Sequence, residues 1–189
     1  METRSGGFKK HNNMRIIRGK YKGKRIMAPK TIKARPTTDF AKESLFNILG
    51  NDYDFEGLEV LDLFTGIGSI SLEFASRGAK KVDAVDVAIQ NIKFVNKTAE
   101  ELQLPIRAYK YNAFTYLSKP HAKYDIIFAD PPYGMEGLDK IAQLVFEHQM
   151  LNENGTLIIE HDKRTDVSNH ANYVKTKSYG KVNFSFFEM

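Results

Sequence analysis

Beyond residue 57 the chain alternates short apolar runs with helix-patterned segments, and this alternation restricts its fold more than any other feature. Runs of strand character cover residues 58–64, 82–87, 106–112, 124–130 and 155–161. Helical segments lie between them, near 69–77, 88–102, 113–117 and 136–149. In the second of these, Ile89, Ile92, Val95, Ala99 and Leu102 form one apolar stripe at helical spacing. Strands that are apolar along their length need cover on both faces, and successive βα units supply it. The pattern therefore predicts an α/β chain with a mostly parallel sheet and helices on both faces. Two extended runs, 173–179 and 182–189, surround Gly180-Lys181 and predict a terminal antiparallel hairpin.

Charge divides the chain at a different place. Residues 1–35 hold 12 Lys/Arg and one acid, whereas the other 154 hold 16 basic and 22 acidic residues. Segregation of that kind points to a polyanionic partner. Residues 1–13 offer nothing to bury and read as a flexible basic tail. From Met14 apolar residues return: Ile16-Ile17 and Ile26-Met27 flank a turn-prone Gly-Lys-Tyr-Lys-Gly centre, which predicts a β-hairpin. That hairpin carries Arg15, Arg18, Lys20, Lys22, Lys24 and Arg25, with Arg35 just beyond. The organisation expected is a tail (1–13), a basic hairpin extension (14–35) and one larger domain (36–189). Pro36 and a capping Thr or Asp open that domain with a helix, along which Ala41, Leu45, Ile48 and Leu49 recur, and Gly50 closes it.

Several function classes are excluded or disfavoured. The chain has no cysteine, which removes disulfides and thiolate chemistry and fits a reducing cytoplasm. No apolar run approaches membrane-spanning length, and no apolar region follows the basic N-terminus as a secretory signal requires. The five histidines lack metal-ligand spacing, so no metal is expected.

The strand 58–64 runs into Thr65-Gly66-Ile67-Gly68, and ligands of such sheets sit beyond the carboxyl ends of their strands. Gly66 and Gly68 allow close backbone approach to a ligand. A dinucleotide fingerprint would place a third glycine where Ser71 stands. Asp62, ending the strand, would repel a pyrophosphate but suits a phosphate-free cationic ligand such as S-adenosylmethionine. Asp86 ends the next strand, 24 residues later, where a carboxylate can accept from both ribose hydroxyls. Asn112, ending the third, could meet the adenine edge.

The run 124–129 ends in Asp130-Pro131-Pro132-Tyr133. The prolines fix φ and remove two N–H donors, leaving a rigid loop with outward carbonyls. An exocyclic amino nitrogen is a poor nucleophile because its lone pair is delocalised into the ring. Acceptors on its hydrogens favour pyramidalisation; Asp130 and the Pro131 carbonyl are the candidates, with Tyr133 stacking on the base. The base must be flipped out or single-stranded. The loop alone leaves guanine, adenine and a protein amide open, and a non-catalytic RNA-binding module keeps the same fold.

Over residues 14–189 the sequence resembles the RsmD-type 16S rRNA guanine-N2 methyltransferases, of the Rossmann-like class I methyltransferase superfamily. The matching blocks are Arg15-Ile-Ile-Arg-Gly-Lys20 with Lys22-Gly-Lys-Arg25, Arg35-Pro-Thr-Thr-Asp39, Leu45-Phe-Asn47, Asp62-Leu-Phe-Thr-Gly-Ile-Gly68 and Asp130-Pro-Pro-Tyr133. The resemblance implies a seven-stranded sheet with one antiparallel strand, and methyl transfer to N2 of one guanine on a partly assembled small subunit. It implies that Thr37, Thr38 and Asp39 lie near the methionine end of the cofactor, that Phe64 joins the cofactor site, and that the hairpin contacts RNA phosphates. No membrane and no obligate protein partner are expected.

Overall fold

The computed structural model describes residues 13–32, 37–119 and 122–189. The expected tail up to residue 12, and Arg35, lie outside the described residues. A small antiparallel pair, β1 (Asn13–Arg15) and β2 (Arg25–Met27), precedes the helix α1 (Asp39–Asp52). Then follow β3 (Glu59–Leu63), α2 (Ser69–Ser76), β4 (Lys81–Asp86), α3 (Ile89–Glu101), β5 (Ile106–Lys110), α4 (Ala113–Leu117) and β6 (Tyr124–Ala129). The chain closes with α5 (Asp139–Glu147), β7 (Leu151–His161), β8 (Tyr173–Tyr179) and β9 (Val182–Glu188).

The main sheet has seven strands in the order β5-β4-β3-β6-β7-β9-β8, and β9 alone runs against its two neighbours. Two apolar clusters sandwich it, and the pleat assigns residues to them alternately. Val60, Ile126, Phe128 and Ile158 face α1, α2 and α3; Leu61, Leu63, Ile127 and Ile159 face α4 and α5. The central parallel strands β3 and β6 are buried along most of their length for this reason.

The hairpin is fastened into the first cluster, where Met14, Ile16, Ile26 and Ile32 are buried. Its turn is also grafted onto α2 by polar contacts. Glu73, fully buried, accepts from the amides of Ile17 (2.8 Å) and Arg18 (2.9 Å) and from Arg77 Nε (2.8 Å). Lys42 Nζ, also buried, lies 3.6 Å from Glu73 and donates to the Arg15 carbonyl at 2.6 Å. The Ser76 hydroxyl donates to Arg18 O and accepts from Tyr21 N. At Gly19 (φ +82°) an added Cβ would fall 1.8 Å from the Ser76 carbonyl oxygen, so only glycine fits.

Two local expectations need correction. Gly50 does not end α1, which continues to Asp52 and is capped at Tyr53; tertiary packing carries the helix over the glycine. The strand expected from residue 155 begins at Leu151, with a register shift against β6 between Tyr124 and Ile126. Among the described residues no helix is long and apolar enough to cross a membrane.

Candidate active site

The chain reverses direction across the sheet between β4, β3 and β6, and the carboxyl ends of these strands open there into one cavity. Its volume is about 400 Å³, the size of a nucleoside-like ligand. The end of β4 supplies Val85, Asp86 and Val87; the loop after β3 supplies Phe64 and Gly66; the loop after β6 supplies Asp130 to Tyr133. Glu160 joins them from the end of β7, and Thr37, Thr38 and Ala41 from the start of α1. The wall is thus built from segments that the sheet topology gathers.

The loop after β3 is held in a demanding conformation. Phe64 has φ +62°, a left-handed value that costs a bulky residue about 1–2 kcal/mol. Fixed hydrogen bonds hold that strain in place: Thr65 N to Val85 O at 3.0 Å and Gly66 N to Asp86 Oδ2 at 2.9 Å. Asp86 Oδ1 accepts from Ala88 N at 2.8 Å, so one carboxylate ties the glycine loop to the start of α3. Its lone pairs allow further bonds toward the cavity it lines. Gly68, in contrast to the expectation that it admits a ligand, faces α3: a Cβ there would come within 2.9 Å of Val95. Its glycine is required for helix-to-helix closeness and for φ +79°.

Asp62 sits beneath this loop, 1% exposed. It accepts from the hydroxyl of Thr65 (2.7 Å), the amide of Ser71 (3.1 Å) and the hydroxyl of Ser71. Burial pushes its carboxyl up to about 6, with those hydrogen bonds and nearby Asp86 acting in opposite senses. It borders a second cavity of about 30 Å³, shared with Thr37, Phe64, Gly66 and Asp130 and about the size of one water molecule. A buried carboxylate with only neutral donors is fitted to gain from a cation placed nearby.

Not every expected residue enters the cavity. Thr37 and Thr38 line it, and the Thr38 hydroxyl also caps α1 by accepting from Ala41 N. Asp39 does not: its carboxylate pairs with Arg15 Nε at 2.9 Å on the outer surface. Asn112 is the N-cap of α4, its Oδ1 accepting from the amides of Phe114 and Thr115, while its neighbours Tyr111 and Ala113 line the cavity. Pro131 is buried behind the loop and Tyr133 is 54% exposed at its tip. The six hairpin cations Arg15, Arg18, Lys20, Lys22, Lys24 and Arg25 are all exposed.

The polar lining residues Asn91 and Tyr111 escaped sequence reasoning, whereas Glu160 reads from the sequence as a polar strand end that could line the pocket. Asn91 is buried in the first turn of α3, and Tyr111 shows no motif. Glu160, 4% exposed, had a signal, since it stands at a strand end in the same layer as Asp130. It lies one step beyond the paired residues Ala129 and Ile159, so two carboxylates occupy neighbouring strand ends. His161, next to it, turns away and bonds Ser185 Oγ at 2.7 Å.

Residues 14–188 match the family described as conserved hypothetical protein 95. YlbH of Bacillus subtilis, which bears the name of an rRNA methyltransferase, is 36% identical over 82% of this chain and 85% of its own length. The ribosomal RNA small subunit methyltransferase D of Buchnera aphidicola (strain Bp) is 30% identical over 94% of this chain and 93% of its own. Among solved structures, the Thermus thermophilus 16S rRNA N2 G1207 methyltransferase, solved with AdoMet and guanosine, superposes with a TM-score of 0.73. That likeness, at 20% identity over 94% of this chain and 50% of the other, concerns the fold. On the family match, the curated relatives and the arrangement of the cavity together, the chain belongs to this RsmD family of Rossmann-like, S-adenosylmethionine-dependent methyltransferases.

Proposed function

We propose that this chain methylates the exocyclic N2 of one guanine in 16S rRNA, on a partly assembled small subunit. The observation that carries the choice of base is that two of the cavity's carboxylates, Asp130 and Glu160, stand at adjacent strand ends beside Pro131. The base-pairing edge of guanine presents N1–H and an N2 amino group side by side as donors, with the O6 acceptor beyond N1. Carboxylates and a proline carbonyl are acceptors only. Adenine would bring its N1 lone pair against one of these carboxylates, a repulsive pairing.

S-adenosylmethionine, when bound, supplies an electrophilic methyl on a sulfonium. The residues that fit it are Asp86 for a ribose diol, Gly66 for close approach, and Thr37, Thr38 and buried Asp62 for the cationic amino-acid end. The support for that last assignment is that Asp62 is buried with only neutral donors, beside a small cavity it shares with Thr37. Asp130 and the Pro131 carbonyl would hold the amino hydrogens, draw the nitrogen out of conjugation and stabilise the positive charge that develops as the N–C bond forms and the C–S bond breaks. The Asp130 carboxylate would receive the proton the nitrogen then loses. Tyr133 offers its exposed ring to the base. The exposed hairpin cations neutralise phosphates and set the register of the RNA without reading its sequence.

The test supplies a methyl-labelled cofactor to small subunits from cells lacking the gene, followed by digestion to nucleosides and chromatography. Label is expected in N2-methylguanosine, and Asp130→Ala should lower the rate by about a hundredfold or more. Label in N6-methyladenosine would overturn the choice of base.

A further inference from the structure

A groove of about 620 Å³ separates the basic hairpin from the outer face of α3, and it begins in the same first helical turn that lends Asn91 to the active-site cavity. Lys24 and Arg25 form one wall, and Lys93 and Lys97 the other. Met27, 72% exposed, and the half-buried ring of Phe94 provide an apolar floor. The one acid lining it, Glu101, lies 3.7 Å from Lys97 across an exposed, one-turn pair that contributes little. Among the described residues no carboxylate pairs with Lys24, Arg25 or Lys93. Arg25 also faces Arg15 directly across the hairpin, a like-charged cross-strand pair in which Arg15 is compensated by Asp39 and Arg25 has no acidic partner among the described residues. Cations in two facing rows over an apolar floor match a phosphate backbone with an unstacked base, and match a neutral or cationic partner poorly.

The position of the groove gives this arrangement a use. Asn91 of α3 lines the active-site cavity, while Gln90 and Lys93, one and two residues to either side, line the groove. The groove and the cavity therefore meet at the first turn of α3, so a strand lying in one is next to a base entering the other. We propose that this groove holds a single-stranded segment of the same rRNA, flanking the nucleotide that enters the cavity. Phosphates sit on Lys93, Lys97 and Arg25, and a base packs on Phe94 and Met27. The proposal rests on the reading of the substrate as RNA, and adds to the hairpin a second surface that reaches along α3.

The test is the salt dependence of rRNA binding by the Lys93→Gln/Lys97→Gln variant, with a Lys20→Gln/Lys22→Gln hairpin variant measured in parallel. Both pairs are exposed, so folding is not at risk. For single strands each phosphate contact contributes about 0.7 to the slope of log K against log salt, so the groove variant should lose about 1.4 of that slope. Affinity at low salt should fall roughly tenfold, with cofactor affinity unchanged. An unaltered slope and affinity, while the hairpin variant weakens, would overturn the groove and leave the RNA reading intact. If the unmodified protein shows no salt-dependent rRNA affinity at all, the failure belongs to the RNA reading itself. Normal binding to bare rRNA with activity lost only on protein-bearing particles would mean that the groove takes an acidic protein surface, which also overturns the proposal.

Discussion

Helix α2 is bracketed by two buried carboxylates, Asp62 under its N-terminal end and Glu73 on its body, and they are satisfied in different ways. Asp62 has neutral partners, two hydroxyls and one amide. Glu73 has two hairpin amides, the Arg77 guanidinium at 2.8 Å and the Lys42 ammonium at 3.6 Å. With Glu73, the folded chain supplies all the compensating charge, as a scaffold joint requires. With Asp62, compensation is incomplete: burial pushes the carboxyl up to about 6. A group left electrostatically hungry under a ligand cavity is suited to a ligand's positive charge. Lys42 shows the complementary effect, since burial pulls its ammonium down while Glu73 and Asp39 hold it up.

The largest expected effect comes from breaking the joint. Glu73→Leu leaves Lys42 and Arg77 buried without a counter-charge and orphans the amides of Ile17 and Arg18. The expected cost is about 3–5 kcal/mol, which for a chain of this size lowers Tm by roughly 10–15 °C. Replacing all three charges, as Lys42→Met/Glu73→Leu/Arg77→Met, should recover part of that loss, because no uncompensated ion remains. Recovery stays incomplete because the two amides are still unpaired. Thermal unfolding of both variants checks the difference, and a triple variant no more stable than the single one would show that the amides, rather than the ions, carry the joint.

Asp62→Asn is expected to be smaller in stability and larger in function. The side chain keeps its size and its acceptor for Ser71 N, and the Thr65 and Ser71 hydroxyls can reorient. Because the folded-state carboxyl is raised from 3.8 to about 6, the native state holds its proton longer than the unfolded chain does. Asp62 therefore erodes stability as pH rises from about 4 to 6, by about 3 kcal/mol, and the loss is level above pH 6. Asn lacks this term, so the variant should gain on the parent protein over that window in urea titrations. Cofactor affinity should meanwhile fall about tenfold or more. A variant that tracks the parent at every pH would mean that Asp62 stays ionised and is not strained by burial.

The same contrast explains what the sequence could disclose. The alternating strands and helices, the glycine loop and the Asp130–Tyr133 loop were legible because period, turn chemistry and strand ends are local properties. Glu73 was not, because in Ser69–Ser76 it reads as an ordinary helical acid, and only the docking of the hairpin makes it central. Lys42 is likewise indistinguishable from an exposed lysine until Arg15 and Ser69 are brought to it. Gly68, Asp39 and Asn112 stand out in the sequence by residue type and position, but their contacts are with Val95, Arg15 and the first turn of α4. The strand expected from residue 155 begins four residues earlier because the chain continues through Asn154, at φ +62°, as an irregularity of the ladder. Residue type announces that a position is constrained; the partner that constrains it comes from the fold.

Asp39 provides the smallest effect and separates the two kinds of acid most cleanly. The resemblance to the family places it at the methionine end of the cofactor, beside Thr38, whereas here its carboxylate is on Arg15 with the pair nearly half exposed. An exposed pair contributes at most about 1 kcal/mol, so Asp39→Asn should leave Tm within a few degrees of the parent. It also frees Arg15 for phosphates, so rRNA affinity at low salt should rise slightly and more salt-sensitively. Cofactor affinity should not change, because the side chain is turned toward the hairpin and the cavity is lined by Thr37 and Thr38 instead. Calorimetric titration with the cofactor decides this: an affinity loss comparable to that of Asp62→Asn would mean that Asp39 swings inward on binding. The charge demand of the ligand would then be met by two acids, with the hairpin's Arg15 released in exchange.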